Sequence, residues 1–155
     1  MADYYQMFSE VIPAITAAER AWIEQMLSCD QDPQPTLTEA GFDVQALDLD
    51  DWPGFEWEFI EANSQLWLHG DDYGNVSHVG EFVRMFLARF RPNQCWSLSW
   101  AELCSKPRIS EFGGGGLFVT AKEVTVIRVA DWADQQRQQF ERAAIPCSVT
   151  TATDL

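Results

Sequence analysis

Two histidines and two aspartates lie close together in the middle of the chain and offer its best candidate for metal or general-base chemistry. His69 and His78 flank Asp71 and Asp72. Imidazole nitrogens and carboxylate oxygens together suit divalent ions of hard or borderline character. However, the spacing matches no helical or loop signature for a metal, and residues 71–75 have the composition of an ordinary turn. We therefore expect no bound metal, and a small metal-dependent enzyme centred on these four residues is the alternative hypothesis.

Four consecutive glycines, residues 113–116, have the composition of a phosphate-binding loop. Such a loop follows a strand and opens a helix, whose N-terminal amides hold the anion. Here the glycines are followed by Leu-Phe-Val-Thr, which is typical of a strand. We therefore interpret them as the end of a loop, where the backbone passes close to a packed tryptophan or adopts a positive φ at a bulge or tight bend.

Glu56 and Glu58 alternate with aromatic residues, so both carboxylates fall on one face of a predicted strand. Strand geometry places them about 6.5–7 Å apart, a separation open to the paired carboxylates of a hydrolase. A solvated acidic face explains the same pattern. The chain has no Gly-x-Ser-x-Gly elbow, and only two histidines are present to act as a base. We therefore expect no catalytic residue and no cofactor.

The composition is that of a folded domain. The 155 residues are 46% hydrophobic and include seven tryptophans, whereas disordered acidic chains are poor in aromatic residues. No apolar run approaches the ~18 residues that span a bilayer, and no secretory signal pattern is visible. The cysteines form no Cys-x-x-Cys motif and are expected to be reduced thiols of a cytoplasmic protein, with a disulfide as the alternative because their number is even. They are Cys29, Cys95, Cys104 and Cys147.

Charge is divided unequally along the chain. Residues 1–80 contain sixteen acids and one base, a net of −15, and residues 81–155 contain eight acids and nine bases, a net of +1. These sum to the overall −14, and no lysine or arginine occurs from residue 21 to residue 83. The asymmetry predicts a negative surface suited to a basic partner and unfavourable for nucleic acid or anionic lipid. We therefore expect no direct nucleic-acid partner and no membrane partner.

The apolar periodicity predicts an α+β protein. Helical spacing is found in residues 4–12, 16–28, 79–90 and 131–144, and strand alternation in residues 55–59, 65–69, 95–100, 117–120 and 124–129. Residues 30–38 are expected to be a connector, and residues 38–52 are ambiguous between a short helix and turns. The strand spacing favours one domain, residues 1–146, with a mainly antiparallel sheet of about 4–5 strands and helices packed on it. Residues 147–155 are expected to be a frayed tail.

Residues 100–121 combine the segment Trp-Ala-Glu-Leu-Cys-Ser-Lys-Pro-Arg with Glu-Phe-Gly-Gly-Gly-Gly-Leu-Phe-Val-Thr-Ala. This stretch resembles a segment found in small uncharacterised proteins of phages and plasmids. The resemblance implies an accessory gene of a mobile element. Small acidic proteins from that setting often resemble inhibitors of host defence, including CRISPR complexes and restriction enzymes, and the resemblance carries no catalytic residue to this chain.

Together these observations predict a non-enzymatic acidic protein that docks on a basic nucleic-acid-binding surface of a host defence effector. Carboxylates on a rigid scaffold can imitate the phosphates of B-DNA, which presents about one charge per 1.7 Å of helix axis. An oligomeric accessory or structural phage protein, whose exposed aromatic residues form a self-interface, is a further alternative. The predicted partner-binding residues are Glu39, Asp43, Asp48, Asp50, Asp51, Glu56, Glu58, Glu61, Asp71 and Asp72.

Overall fold

The computed structural model describes residues 1–29 and 31–145, which contain one antiparallel sheet and four α-helices. The strands are β1 (Tyr4–Ile12), β2 (Glu56–Ile60), β3 (Gln65–Gly70), β4 (Cys95–Cys104), β5 (Gly113–Thr120) and β6 (Val124–Arg128). The helices are α1 (Ala17–Leu27), α2 (Gln34–Ala40), α3 (Val76–Phe90) and α4 (Val129–Ala144), with short 3-10 helices at Val44–Ala46 and Glu61–Asn63. The strand order is β2-β3-β1-β4-β5-β6, and every neighbouring pair is antiparallel. The predicted tail, residues 147–155, lies outside the described residues.

The prediction of an α+β fold with a mainly antiparallel sheet is confirmed, but the sheet has six strands instead of about 4–5. The difference comes from β1, for which a helix over residues 4–12 was the wrong prediction. Phe8 pairs with Gly70 of β3 on one side and with Trp100 of β4 on the other, so β1 is a central strand. Its spacing of apolar residues suits a helix, but it also lets a strand bury Phe8 and Ile12 on one face.

The hydrophobic core lies on one face of the sheet, against α1, α2 and α3. In β3, Leu66 and Leu68 are fully buried, while Gln65, Trp67 and His69 are only half-buried. This period of two means that alternate side chains of β3 point away from the core. The fully buried apolar residues that α3 contributes are Val79, Phe82, Val83 and Phe86.

A capping box begins α1, whereas prolines occupy the start of α2. Thr16 and Glu19 form the predicted capping box at the start of α1, each side chain bonding the other's backbone N–H. The predicted connector at residues 30–38 is instead partly helical, because α2 begins at Gln34 immediately after Pro33. Pro33 is the N-cap residue and Pro35 lies in the first turn, where the missing N–H of a proline has no intrahelical partner.

The four glycines belong to strand β5, so the prediction that they end a loop is wrong. A Cβ on Gly115 would collide with the carbonyl oxygen of Ile127 in β6 and lie 2.6 Å from the indole ring of Trp100. Gly114 has a φ of +147°, and a Cβ at this position would collide with the carbonyl oxygen of Trp100. The interpretation that the backbone passes close to a packed tryptophan is therefore confirmed, and the phosphate-loop geometry is absent, because β5 continues from these glycines as a strand.

Two further predictions concern the chemical state of the cysteines and the presence of membrane-spanning segments. Cys95 and Cys104 are free thiols, the Cys29 thiol donates to the carbonyl of Gln25 at 3.0 Å, and Cys147 lies outside the described residues. Of the helices described, none has both the length and the apolar character needed to cross a bilayer.

Candidate functional site

The loop between β3 and α3, residues 71–75, is tied to the segment that precedes β2, residues 48–54, at one end of the sheet. Tyr73 Oη donates a hydrogen bond to Asp51 Oδ2 at 2.9 Å, and Asn75 Nδ2 donates to the same oxygen at 3.2 Å. Two segments that are distant in sequence therefore form one corner of the molecule, and both of them are rich in aspartate.

His78 secures this corner from inside. The ring is buried, its Nε2 accepts from the backbone N–H of Asp48 at 3.1 Å, and its Nδ1 lies 3.0 Å from the carbonyl oxygen of Pro53. The neutral ring with its proton on Nδ1 satisfies both contacts. The ring also packs against Trp52, with a centroid distance of 5.3 Å. His78 therefore has both nitrogens engaged in the core, and the structure does not bring it to His69, Asp71 and Asp72, the other residues of the alternative metal-site hypothesis.

His69 lies on the opposite face of the sheet, where strand pairing sets it across from Glu56 of β2. Its Nδ1 lies 3.3 Å from Glu56 Oε2, and its ring stacks on Trp67 at a centroid distance of 3.8 Å. Nδ1 is buried and makes no hydrogen bond within the described part of the chain. One ligand atom from each of Glu56, His69 and Asp71 lies within 4.8 Å of the others. One imidazole and two carboxylates therefore surround a space into which a divalent cation could fit.

Asp72 does not join this cluster of donor atoms. Its carbonyl oxygen accepts from the backbone N–H of Gln6 at 2.9 Å, which holds the loop alongside β1, and its side chain is exposed. The predicted set of two histidines and two aspartates is thus divided: His69 and Asp71 meet, joined by Glu56, whereas His78 and Asp72 have other surroundings.

The ten predicted partner-binding residues are exposed, except for Asp51, which is half-buried. Three of them lie elsewhere: Glu39 is on α2, Asp43 caps the 3-10 helix Val44–Ala46, and Glu61 forms an ion pair with Arg20 at 2.6 Å. The other seven follow the corner and the adjacent strand β2, and we name them the acidic edge. They are Asp48, Asp50, Asp51, Glu56, Glu58, Asp71 and Asp72.

Two adjoining hollows run along the acidic edge. One has a volume of about 470 Å³ and is lined by Glu56, Asp71 and Asp72 among others. The next, of about 480 Å³, is lined by residues that include Glu56, Glu58 and His69. Because Glu56 lines both hollows, the four carboxylates of Glu56, Glu58, Asp71 and Asp72 lie along adjoining surface. Neither hollow is lined by a lysine or arginine from the described residues.

A third hollow, of about 440 Å³, lies at the same end and contains residues that the sequence analysis did not single out. Asp72 and Tyr73 line it together with Glu102 and Arg128. Arg128 Nη1 donates to Glu102 Oε1 at 3.1 Å, and Trp100 Nε1 donates to the same oxygen at 3.2 Å. Because Arg128 neutralises the charge of the Glu102 carboxylate, the acidic edge ends before β4 on this side of the molecule.

No local signal in the sequence points to the contact between Glu102 and Arg128. The two residues meet only because β5 lies between β4 and β6 with the observed register. Tyr73 directly follows Asp71 and Asp72, but the segment has the composition of an ordinary turn and does not mark the tyrosine as a site residue.

Comparisons of the chain with protein-family models, with curated proteins and with solved structures gave no match. The class of protein is therefore defined by its fold and its surface alone. This is an α+β protein whose six-stranded antiparallel sheet carries a carboxylate-rich edge.

Proposed function

We propose that this chain is a non-enzymatic binding protein whose acidic edge docks on a basic, nucleic-acid-binding surface of a partner protein. The observation that carries the proposal is the proximity of these carboxylates: Glu56 lines both hollows with Glu58, Asp71 and Asp72, and Tyr73, which lines one of them, is hydrogen-bonded to Asp51. Within the described residues, none of the seven carboxylates of the acidic edge forms an ion pair with a lysine or arginine.

A rigid array of unneutralised carboxylates suits a partner with an arginine- and lysine-rich groove. Each charge-assisted hydrogen bond from a guanidinium to a carboxylate is stronger than its neutral equivalent, and the pairing is often bidentate. The negative field of the whole chain, at −14, would also accelerate encounter with a basic partner, more so at low salt. Occupation of such a groove excludes the nucleic acid that it ordinarily holds.

The resemblance of residues 100–121 to phage and plasmid proteins narrows the proposed partner to an effector of host defence. A CRISPR complex and a restriction enzyme both bind DNA in basic channels. The proposed outcome is inhibition, because the acidic edge and the DNA compete for one surface.

The proposal is tested with three probes: a CRISPR effector complex, a restriction enzyme and protamine, which is a generic arginine-rich nucleic-acid-binding protein. Binding is measured by fluorescence anisotropy across a salt series, and inhibition is measured as DNA cleavage by the two effectors. We expect binding that weakens steeply as salt rises and that competes with DNA. Failure of all three probes to bind, or binding that is independent of salt, would contradict the proposal.

Matched charge reversals distinguish binding through the acidic edge from binding that is driven by net charge alone. Glu56→Lys with Glu58→Lys should raise the dissociation constant on the order of tenfold or more, because two carboxylates of the edge become repulsive. Glu24→Lys with Glu123→Lys changes net charge by the same amount at exposed positions outside the edge. Equal effects of the two pairs would mean that net charge alone drives binding.

A second candidate function, a metal-dependent activity, is favoured by the cluster of Glu56, His69 and Asp71 and by the unsatisfied Nδ1 of His69. Isothermal titration with zinc and with manganese after chelator treatment tests it directly. Stoichiometric binding that is lost in His69→Ala and retained in Asp72→Asn would support this candidate. Absence of binding would remove it and leave the acidic edge as a docking surface.

A further inference from the structure

A buried nitrogen of His69 faces a carboxylate but makes no hydrogen bond with it. His69 Nδ1 lies 3.3 Å from Glu56 Oε2, and the His69 side chain is only 12% exposed. Within the described residues Nδ1 has no hydrogen-bond partner, so its contact with Glu56 is not a hydrogen bond. Because buried polar atoms normally have a partner, this nitrogen indicates a group that the described protein atoms do not supply.

A second carboxylate identifies that group as a cation. One oxygen of Glu56, one oxygen of Asp71 and one ring nitrogen of His69 lie within 4.8 Å of one another. The two carboxylates repel each other, and an unprotonated imidazole nitrogen beside them is a third electron-pair donor. A cation attracts all three atoms, whereas a neutral molecule would leave the repulsion between the carboxylates in place.

The sheet and the loop after β3 hold these donors at the distances that a cation needs. Strand pairing sets Glu56 opposite His69, and Asp71 follows Gly70, the last residue of β3. The Glu56 side chain is 67% exposed and Asp71 is also exposed, so both carboxylates can turn towards His69 without disturbing the core. Neighbouring ligands of a cation with bonds of about 2.0–2.2 Å lie about 3–3.5 Å apart, which is the separation already found between Nδ1 and Oε2.

The donor types select the class of cation. Calcium and magnesium prefer oxygen ligands, whereas one imidazole with two carboxylates suits borderline ions such as zinc. The ring of His69 stacks on Trp67 at a centroid distance of 3.8 Å and an angle of 22°, which restricts the direction in which Nδ1 points. Three protein donors leave the remaining coordination positions to water.

We propose that a divalent cation of the zinc class binds Glu56, His69 and Asp71 and thereby weakens the docking of the acidic edge on its basic partner. This inference rests on the proposed docking function and adds a regulator to it; it requires no reaction at the metal. Glu56 and Asp71 would serve both ligands. The seven carboxylates of the acidic edge carry a charge of −7, which a +2 ion reduces to −5.

Two ligands that share carboxylates oppose each other by the same factor in both directions. Bound zinc should therefore raise the dissociation constant for a basic partner, and a bound basic partner should raise the dissociation constant for zinc equally. We expect a factor on the order of tenfold, a typical size for coupling between two sites.

Protamine binding, measured by fluorescence anisotropy with and without saturating zinc at constant ionic strength, tests the coupling. Magnesium at the same concentration is the comparison ion, because it screens charge but does not favour an imidazole ligand. Cys95→Ser is introduced into every protein, since the exposed Cys95 thiol is a competing zinc ligand. Isothermal titration of each protein with zinc measures the stoichiometry and affinity of the cation directly.

Two variants separate the cation site from the charge of the acidic edge. His69→Ala removes a ligand but no carboxylate, so it should bind protamine as before and lose the effect of zinc. Glu58→Gln is the matched control: it removes a carboxylate of the edge that lies outside the cluster, so protamine binding should weaken while the effect of zinc persists.

The possible results distinguish this inference from the proposed function. Protamine binding that zinc does not change overturns the inference alone. Zinc that binds equally well to His69→Ala, or magnesium that acts as strongly as zinc, also overturns it, because the effect would then be screening or binding elsewhere. Protamine that fails to bind the zinc-free protein contradicts the proposed function, and the coupling fails with it.

Discussion

Tyr73 and Asp51 join the two aspartate-rich segments of the molecule through a hydrogen bond of 2.9 Å from Oη to Oδ2. The bond raises the pKa of Tyr73 above its ordinary value of 10.0, chiefly because the protonated phenol donates a hydrogen bond to the Asp51 carboxylate; partial burial contributes in the same direction. Tyr73 must therefore be neutral to hold the corner at Asp51 in place. The stabilisation that this bond provides should change measurably with pH.

We predict that the stabilisation from this bond is complete below pH 10.0 and is lost as the pH rises through the higher pKa of the folded state. The sign follows because the folded protein binds this proton more tightly than the unfolded chain does, so deprotonation favours unfolding. Tyr73→Phe removes the group. The difference in unfolding free energy between the two proteins should be constant at lower pH and shrink in the alkaline range. A difference that grows with pH would contradict the assignment.

Arg91 and Glu19 form a buried ion pair that fastens the start of α1 to the end of α3. Arg91 Nη2 lies 2.8 Å from Glu19 Oε2, and the two side chains are only 12% and 6% exposed. The guanidinium also donates to the carbonyl oxygens of Pro13 and Ala14, each at 2.9 Å. Removal of the carboxylate charge therefore leaves a buried cation without its counter-charge.

We predict that Glu19→Gln lowers the free energy of unfolding by about 3 kcal/mol, the size expected for breaking a buried pair. Glu24→Gln is the control on the same helix: its ion pair with Arg20 is about half-exposed and should contribute less than about 1 kcal/mol. Urea denaturation measures both. Similar losses in the two variants would show that burial does not distinguish these pairs.

The glycines of β5 provide a matched pair for close packing. A Cβ at Gly115 would meet the Ile127 carbonyl and the Trp100 ring, whereas a Cβ at Gly116 would lie 3.5 Å from its nearest neighbour, an ordinary contact. We predict that Gly115→Ala destabilises the protein by about 1–3 kcal/mol through overpacking, while Gly116→Ala is close to neutral. Thermal unfolding of the two variants tests this. A greater loss for Gly116→Ala would contradict the packing described for Trp100.

The spacing of apolar residues was sufficient to predict those elements that are defined by residues close together in the sequence. The α3 helix and the β5–β6 hairpin both follow from patterns within a few residues of each other. The strand β1 could not be predicted in this way. Its identity depends on pairing with β3 and β4, which are more than fifty residues away, and the same apolar spacing permits a helix.

The candidate site was likewise only partly predictable from the sequence. Composition alone identified the acidic residues, but it could not show that Glu56 and Asp71 meet while Glu61 pairs with Arg20 at a distance from them. Those contacts depend on strand register and on loops that the sequence does not position. His78 shows this most clearly. It is close to His69 in the sequence, which suggested one shared metal or general-base site, but the two side chains lie on opposite faces of the sheet.

His78 is predicted to act through the position of the acidic edge and not through metal binding. Its ring accepts from the Asp48 N–H and contacts the Pro53 carbonyl, so His78→Leu leaves both backbone groups without a partner. A loss of stability of about 2 kcal/mol is expected, with weaker binding to a basic probe such as protamine although no charge of the edge is removed. Ser77→Ala, at the exposed neighbouring position, is the control and should change neither property.

The same variant separates the two candidate functions. If a divalent cation binds at Glu56, His69 and Asp71, its affinity should be unchanged in His78→Leu, because His78 supplies no ligand there. Isothermal titration of the folded variant measures this directly. Loss of cation binding together with retained protamine binding would reverse the roles assigned to the two histidines, since it would place His78 at the metal and detach it from the acidic edge.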